Sequence, residues 1–356
     1  MSTPTPTLGI ALTTQTPADA RDHWTRLSQA LEETSLDWAV LTDPLGTAPQ
    51  AGTHRIDAVL AACWTATRTH RIGLVPEVTT THTEPFHVSI GLATLDHVSH
   101  GRAGWLATVS AVPEVSALFG RRRHPTERTP GLQASRVDLE LWEELQDAVA
   151  AVRDLWESWE PDAEIRDTAT GRFIDRARVH HVDVEAERFS VRGPSITPRP
   201  PQGRLPVLVE AAGPAGLEVA RRIADVVLLP AAEVGRTDAA RLPDRRRRGA
   251  TPAVPAEPTR IVADVTLEGD GARVADAVRH ALQAGADGAR LVPDPAADPF
   301  DALALAADVH DRLDDIRPPD TGTAPLRERL GLAPALSPWR HPEDPTARPT
   351  DEEATA

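Results

Sequence analysis

Tyrosine is absent from this chain, methionine and cysteine occur once each, and every basic residue other than histidine is arginine. The lone cysteine, Cys63, cannot pair within the chain, so no internal disulfide framework exists. The opening MSTPTPTLGIALTTQ has neither a basic segment nor a long apolar run, and nowhere do apolar residues approach the roughly 18 in succession that a membrane helix requires. These absences point to a cytoplasmic protein with no membrane partner. The arginine bias fits GC-rich coding and carries little functional weight. Basic charge is also scarce overall: 53 acidic residues against 38 basic ones give a formal net charge of -15, so a nucleic acid would meet a repulsive field. A small molecule is the expected partner.

Of the 356 residues, 40% are hydrophobic and 26% charged, enough apolar material for a core and too much for wholesale disorder. That length suits two average domains or one large barrel. Short apolar or β-branched runs alternate with longer amphipathic stretches, the pattern of repeated βα units around a parallel sheet. Eight runs are expected as strands: Leu8–Thr14, Leu36–Thr42, Ile72–Val78, Gly104–Ser110, Pro206–Ala211, Asp225–Leu229, Arg260–Leu267 and Ala289–Val292. Helices are expected over Ala18–Thr34, Ile56–Thr67, Pro85–Val98, Ala134–Trp159, Gly216–Ile223, Ala272–Ala284 and Pro299–Leu313. In the longest, Leu141, Leu145, Ala148, Val152 and Leu155 recur at helical spacing and define a face that packs on the sheet. Pro161–Arg204 holds too many prolines and glycines for a barrel helix and reads as an insertion after the fourth βα unit, while Ala231–Pro258 reads as a solvated loop. The expectation is a (β/α)8 TIM barrel in one domain over residues 1–334, with a disordered tail over 335–356.

Four blocks, in order, carry a resemblance. They are Thr79 to His87 with Leu92 to Trp105 (TTTHTEPFH and LATLDHVSHGRAGW), Leu155 to Glu160 with Asp162-Ala163 (LWESWE and DA), Phe189 to Pro194 with Pro198 to Gly203 (FSVRGP and PRPPQG), and Pro325 to Leu332 (PLRERLGL). Together they resemble the nitrilotriacetate and dibenzothiophene-sulfone branch of the bacterial-luciferase-like flavin-dependent monooxygenases. The resemblance implies a luciferase-like barrel that receives reduced FMN from a separate flavin reductase and uses O2 to oxygenate a small organic substrate. It implies a flavin ring at the C-terminal mouth of the barrel, where barrel active sites lie. Barrel relatives commonly form homodimers.

By that resemblance, cofactor contacts are expected from Asp43, Thr79, Thr81, Ser110, Ala211, Gly213 and Gly216, with Ser110 on the phosphate side of the flavin. All but Ser110 have a plainer reading. Asp43 precedes Pro44 and suits a turn or cap; Thr79, Thr80 and Thr81 suit ordinary strand propensity; and the loop Glu210 to Gly216 suits any glycine-rich helix start, although such a start can also hold a phosphate. His82 and His87 are the candidates for catalytic acid or base, against the reading as common loop histidines. The chain also departs from the family pattern. Leu106 stands where asparagine is usual, Val184 where histidine is usual, Ala186 at a glycine position, and Glu210 and Pro214 replace a glutamine and a loop serine. Those losses, with the missing tyrosines, keep open a non-catalytic barrel that binds a ligand or partner, and because related barrels use the deazaflavin F420, a hydride transferase with that cofactor is a further alternative. Other signals have plain explanations. Arg121 to Arg123 and Arg245 to Arg248 read as solvated loops, His97 and His100 lack the companions of a metal site, and Trp156 and Trp159 read as packing residues. Pro198 to Gly203 reads as a stiff lead-in to the fifth strand.

Overall fold

The computed structural model describes residues 5–43, 45, 52–120, 132–211, 213–236, 259–316 and 323–339. Eight strands close into a parallel barrel: β1 (Thr7–Thr13), β2 (Trp38–Thr42), β3 (Gly73–Thr79), β4 (Trp105–Thr108), β5 (Val207–Glu210), β6 (Val226–Pro230), β7 (Arg260–Leu267) and β8 (Gly288–Pro293). Neighbours follow chain order and β1 pairs with β8, through Thr7↔Gly288 to Ile10↔Leu291. Between them run α1 (Ala20–Glu33), α2 (Ala58–Ala66), α3 (Pro85–Ser99), α4 (Pro113–Phe119), α5 (Leu132–Trp156), α6 (Gly213–Ile223), α7 (Gly271–Gln283), α8 (Pro299–Asp311) and α9 (Leu326–Arg329). Helix starts follow local chemistry. The Asp57, Asp270 and Asp298 carboxylates accept from amides of the first turn, and Pro299 fills the position whose N–H has no helical partner.

Strand alternation sorts the core into two layers. Leu8, Ile10 and Leu12 of β1, Ala263 and Val265 of β7, and Ala289 and Leu291 of β8 face the helical ring, where Leu145, Val149 and Val152 of α5 meet them in one cluster. The face proposed for α5 is the buried one, with Leu141, Leu145, Ala148, Val152 and Leu155 all enclosed. The opposite register points into the lumen, where Trp38, Val40, Val75, Leu106, Leu208, Val226, Leu228 and Val262 pack with Leu326, Leu330 and Leu332. The C-terminal segment therefore plugs the barrel at its N-terminal end.

The insertion between α5 and β5 holds two antiparallel strand pairs, Glu164–Asp167 with Arg172–Ile174 and Asp183–Glu185 with Ser190–Arg192. After β6 the expected loop begins as a 3-10 turn over Ala231–Arg236; the rest of it, including Arg245 to Arg248, lies outside the described residues, as do Arg121 to Arg123 and Pro44. The packed chain continues past residue 334, because the Trp339 ring stacks on His180 with centroids 3.7 Å apart and its Nε1–H donates to Glu157 O at 2.9 Å. The tail beyond Trp339 lies outside the described residues. A short antiparallel pair, Gln15–Pro17 with Thr53–Arg55, and α4 were not anticipated, being too brief for a periodic signal.

Candidate functional site

Parallel strands send all their C-terminal loops to one end of a barrel, so side chains distant in sequence converge there. The ends of β3 and β4 are tied together: Thr80 N donates to Thr108 O at 2.9 Å, and Ser110 N donates to Thr81 Oγ1 at 3.0 Å. Thr79 Oγ1 in turn accepts from Thr81 N at 3.4 Å. Both threonine oxygens thus accept bonds that shape the loop. Ser110 differs, for it is 8% exposed and its Oγ has no hydrogen-bond partner among the described residues. A buried hydroxyl without a partner costs on the order of 1–3 kcal/mol, and a ligand group at the mouth would repay it.

Just above the apolar lumen lies a charged layer that the sequence reading did not identify as a site: Glu77 on β3, Glu210 on β5, Asp264 on β7 and Arg290 on β8. Arg290 Nε and Nη2 donate to Asp264 Oδ1 and Oδ2 at 2.7 and 2.8 Å, and Nη2 also donates to Glu210 Oε1 at 2.6 Å. Burial alone would lower the Arg290 pKa, but the Asp264 and Glu210 carboxylates more than reverse it. Burial raises the Asp264 pKa in spite of that guanidinium. Glu77 accepts from Asp43 N at 3.0 Å and from the Thr108 hydroxyl, yet burial, and then the Glu210 charge, push it up to about 7. The signal was present in the sequence: each of these residues interrupts an apolar strand at a register that faces inward.

The mouth also gathers Asp43, His82 and Ala211. Asp43 faces Arg55 Nε at 3.5 Å, and burial holds its carboxyl above the usual range. His82 is buried and stacks on Phe119 of α4, with centroids 5.0 Å apart and planes 9° from parallel. Ala211 N donates to Leu228 O at 3.2 Å. His87, by contrast, is exposed on the first turn of α3. Gly213 opens α6 with φ +67°, and an added Cβ there would meet open space. Gly216 has a packing duty instead, since a Cβ would lie 2.6 Å from the Trp142 ring of α5.

The family departures have local explanations. Leu106 completes the apolar lumen. Val184 pairs with Val191 in the insertion, and Ala186 N donates to Phe189 O at 3.0 Å. A free carboxylate at Glu210 would repel an anion at α6, but this one is paired with Arg290. Trp156 Nε1–H donates to Ser89 O at 3.0 Å and Trp159 Nε1–H to Ser195 O at 2.8 Å, which makes both packing residues. Among the described residues no group of His, Cys, Asp and Glu could hold a metal ion, and no helix is long and apolar enough to cross a membrane.

The luciferase-like monooxygenase profile matches residues 5–307. The chain is 32% identical over 218 residues to N-acetyl-S-(2-succino)cysteine monooxygenase of Bacillus subtilis (strain 168), covering 59% of this chain and 47% of that protein. It is 33% identical over 222 residues to nitrilotriacetate monooxygenase component A of Aminobacter aminovorans, covering 58% and 46%. The chain thus spans about half the length of these two curated relatives. A crystal structure of riboflavin lyase with modified FMN and riboflavin superposes with a TM-score of 0.73 at 20% identity, covering 94% of this chain and 97% of that one, a likeness of fold.

Proposed function

The chain belongs to the luciferase-like monooxygenase family, and we propose that it works with a separate flavin reductase, using reduced FMN and O2 to oxygenate a small organic substrate. The observation that carries this reading is the unpartnered Ser110 hydroxyl at the mouth of a closed barrel. It fits a flavin, whose ring edge offers both donors and acceptors. Thr79 and Thr81 would hold the ring, and Ser110, tied to Thr81 through its backbone amide, is assigned to the ring with them and not to the phosphate side. The amides that open α6 at Gly213 would serve the phosphate, with the Glu210 carboxylate held by Arg290. When bound, the flavin supplies the chemistry with O2. The protein binds, orients and shields the reactants, and Glu77 is able to hold a proton near neutral pH at the mouth. The name of the nitrilotriacetate relative, component A, presupposes a second component, which supports the reductase partnership.

Anaerobic titration with photoreduced FMN, followed by mixing with O2, tests the reading. Saturable binding and a protein-dependent change in the rate of flavin reoxidation are expected. No binding at high micromolar flavin would overturn it, and binding of F420 in preference to FMN would replace it with hydride transfer.

A further inference from the structure

Arg290 is an interior cation whose surroundings account for only part of it. Its side chain is 4% exposed, and Nε and Nη2 are engaged by Asp264 and Glu210. Nη1 is buried and has no hydrogen-bond partner among the described residues. The guanidinium cannot point outward, because Ala289 and Leu291 on either side belong to the helix-facing cluster and Arg290 reaches Glu210 across two intervening strands. Nor is it deep in the lumen, since the Glu210 side chain that it grips is 49% exposed at the end of β5. A buried N–H of a charged group is costly to leave unmade. Two carboxylates nonetheless fix the plane of the fork, which pre-orients the third nitrogen.

Ser110 supplies an independent second observation. It follows β4, and β4 and β8 stand on opposite walls of the barrel with three strands between them either way round. Two unsatisfied buried polar groups therefore stand near the same end of the barrel on opposite walls. One ligand that satisfied both would have to extend across the opening and carry an acceptor atom on the Arg290 side.

We propose that Arg290 is a ligand-binding residue, which donates from Nη1 to a ring-edge carbonyl or ring nitrogen of a flat heterocycle spanning the mouth to Ser110. This rests on the flavin reading above and assigns Arg290 to the ring, not to the phosphate. Riboflavin and FMN, which share the ring and differ in the phosphate, are the probes.

The test is fluorescence titration of the wild-type chain, Arg290→Gln, and Asp264→Asn/Arg290→Gln, which removes the charge pair together and so keeps a folded comparison if the single variant is unstable. Loss of one charge-assisted hydrogen bond is expected to weaken riboflavin and FMN alike, by roughly tenfold to a hundredfold. In the wild-type chain labelled with [15N]arginine, riboflavin should also shift one slowly exchanging guanidinium resonance, a readout that needs no stable variant. Unchanged riboflavin binding, or no guanidinium shift, would make Arg290 a purely structural partner of Asp264. A loss confined to FMN would move the contact to the phosphate and overturn the ring assignment. Failure of the wild-type chain to bind either flavin would instead remove the underlying functional reading, and this inference with it.

Discussion

Glu77 illustrates how one side chain ties stability to the site. Its carboxyl is raised from an ordinary value near 4.5 to about 7, with burial the main cause and the Glu210 charge the next. The unfolded chain therefore gives up this proton before the folded one does. The contribution of Glu77 to stability is present below about pH 4.5 and is lost as pH rises through 7, by at most about 3 kcal/mol. Asp96 behaves in the same sense but is raised only to about 6, and Asp43 and Asp264 are also raised while His23 is lowered, so the Glu77 share is read from its own variant. Glu77→Gln keeps an acceptor for Asp43 N and has no proton to lose. Urea midpoints measured across pH 4 to 8 should fall more steeply for the wild-type chain than for the variant between pH 6 and 7. Parallel profiles would show that Glu77 ionises as an ordinary surface acid.

Elements were more legible than sites, and α6 shows where the line falls. Its amphipathic spacing marked a helix, but the two glycines near its start, Gly213 and Gly216, looked equivalent in sequence. Packing separates them: Gly216 is pressed against Trp142 of α5, while Gly213 faces open space in a left-handed turn. Gly216→Leu should displace α6 from α5 and destabilise the fold by about 1–3 kcal/mol. Gly213→Asn, a residue that tolerates positive φ, should cost less than about 1 kcal/mol. Thermal melts of the two variants decide between them, and equal losses would mean that α6 is not seated on Trp142. The eight strands were legible for a related reason. Period-two alternation and apolar runs report burial, whereas the contact from Arg290 to Glu210 joins residues separated by 80 positions and appears only once the barrel closes.

The two ends of the barrel divide its labour, which explains why the family could be read before the site. Most of the blocks that carry the resemblance lie at the N-terminal end or in the insertion. Gln202 N and Nε2 donate to the Asp96 carboxylate at 3.0 and 2.7 Å, Nε2 also donates to Ala103 O at 2.8 Å, and Gln202 Oε1 accepts from Arg327 N at 2.8 Å. One side chain thereby joins α3, the start of β4 and α9, and Asp96 is fully buried beneath it. Closing the base demands these residues whatever the mouth binds, so they betray the fold and are silent on the ligand. Gln202→Leu would take one donor from the Asp96 carboxylate, which keeps its bonds from the backbone amides at position 202 and Ala103, and would leave Ala103 O and Arg327 N without their side-chain partner, at a cost of about 2–4 kcal/mol. It should leave riboflavin affinity of the folded protein within twofold, because the Gln202 side chain bonds Asp96, Ala103 and Arg327 at the end of the barrel away from Ser110. Ser110→Ala should do the reverse, weakening riboflavin roughly threefold to tenfold while holding or slightly raising stability, since it deletes an unpaired buried hydroxyl. Urea titration and fluorescence titration on the same two proteins measure both quantities. If Gln202→Leu lost riboflavin binding as steeply as stability, the base and the mouth would be one cooperative unit, and the separation argued from the hydrogen bonds would fail.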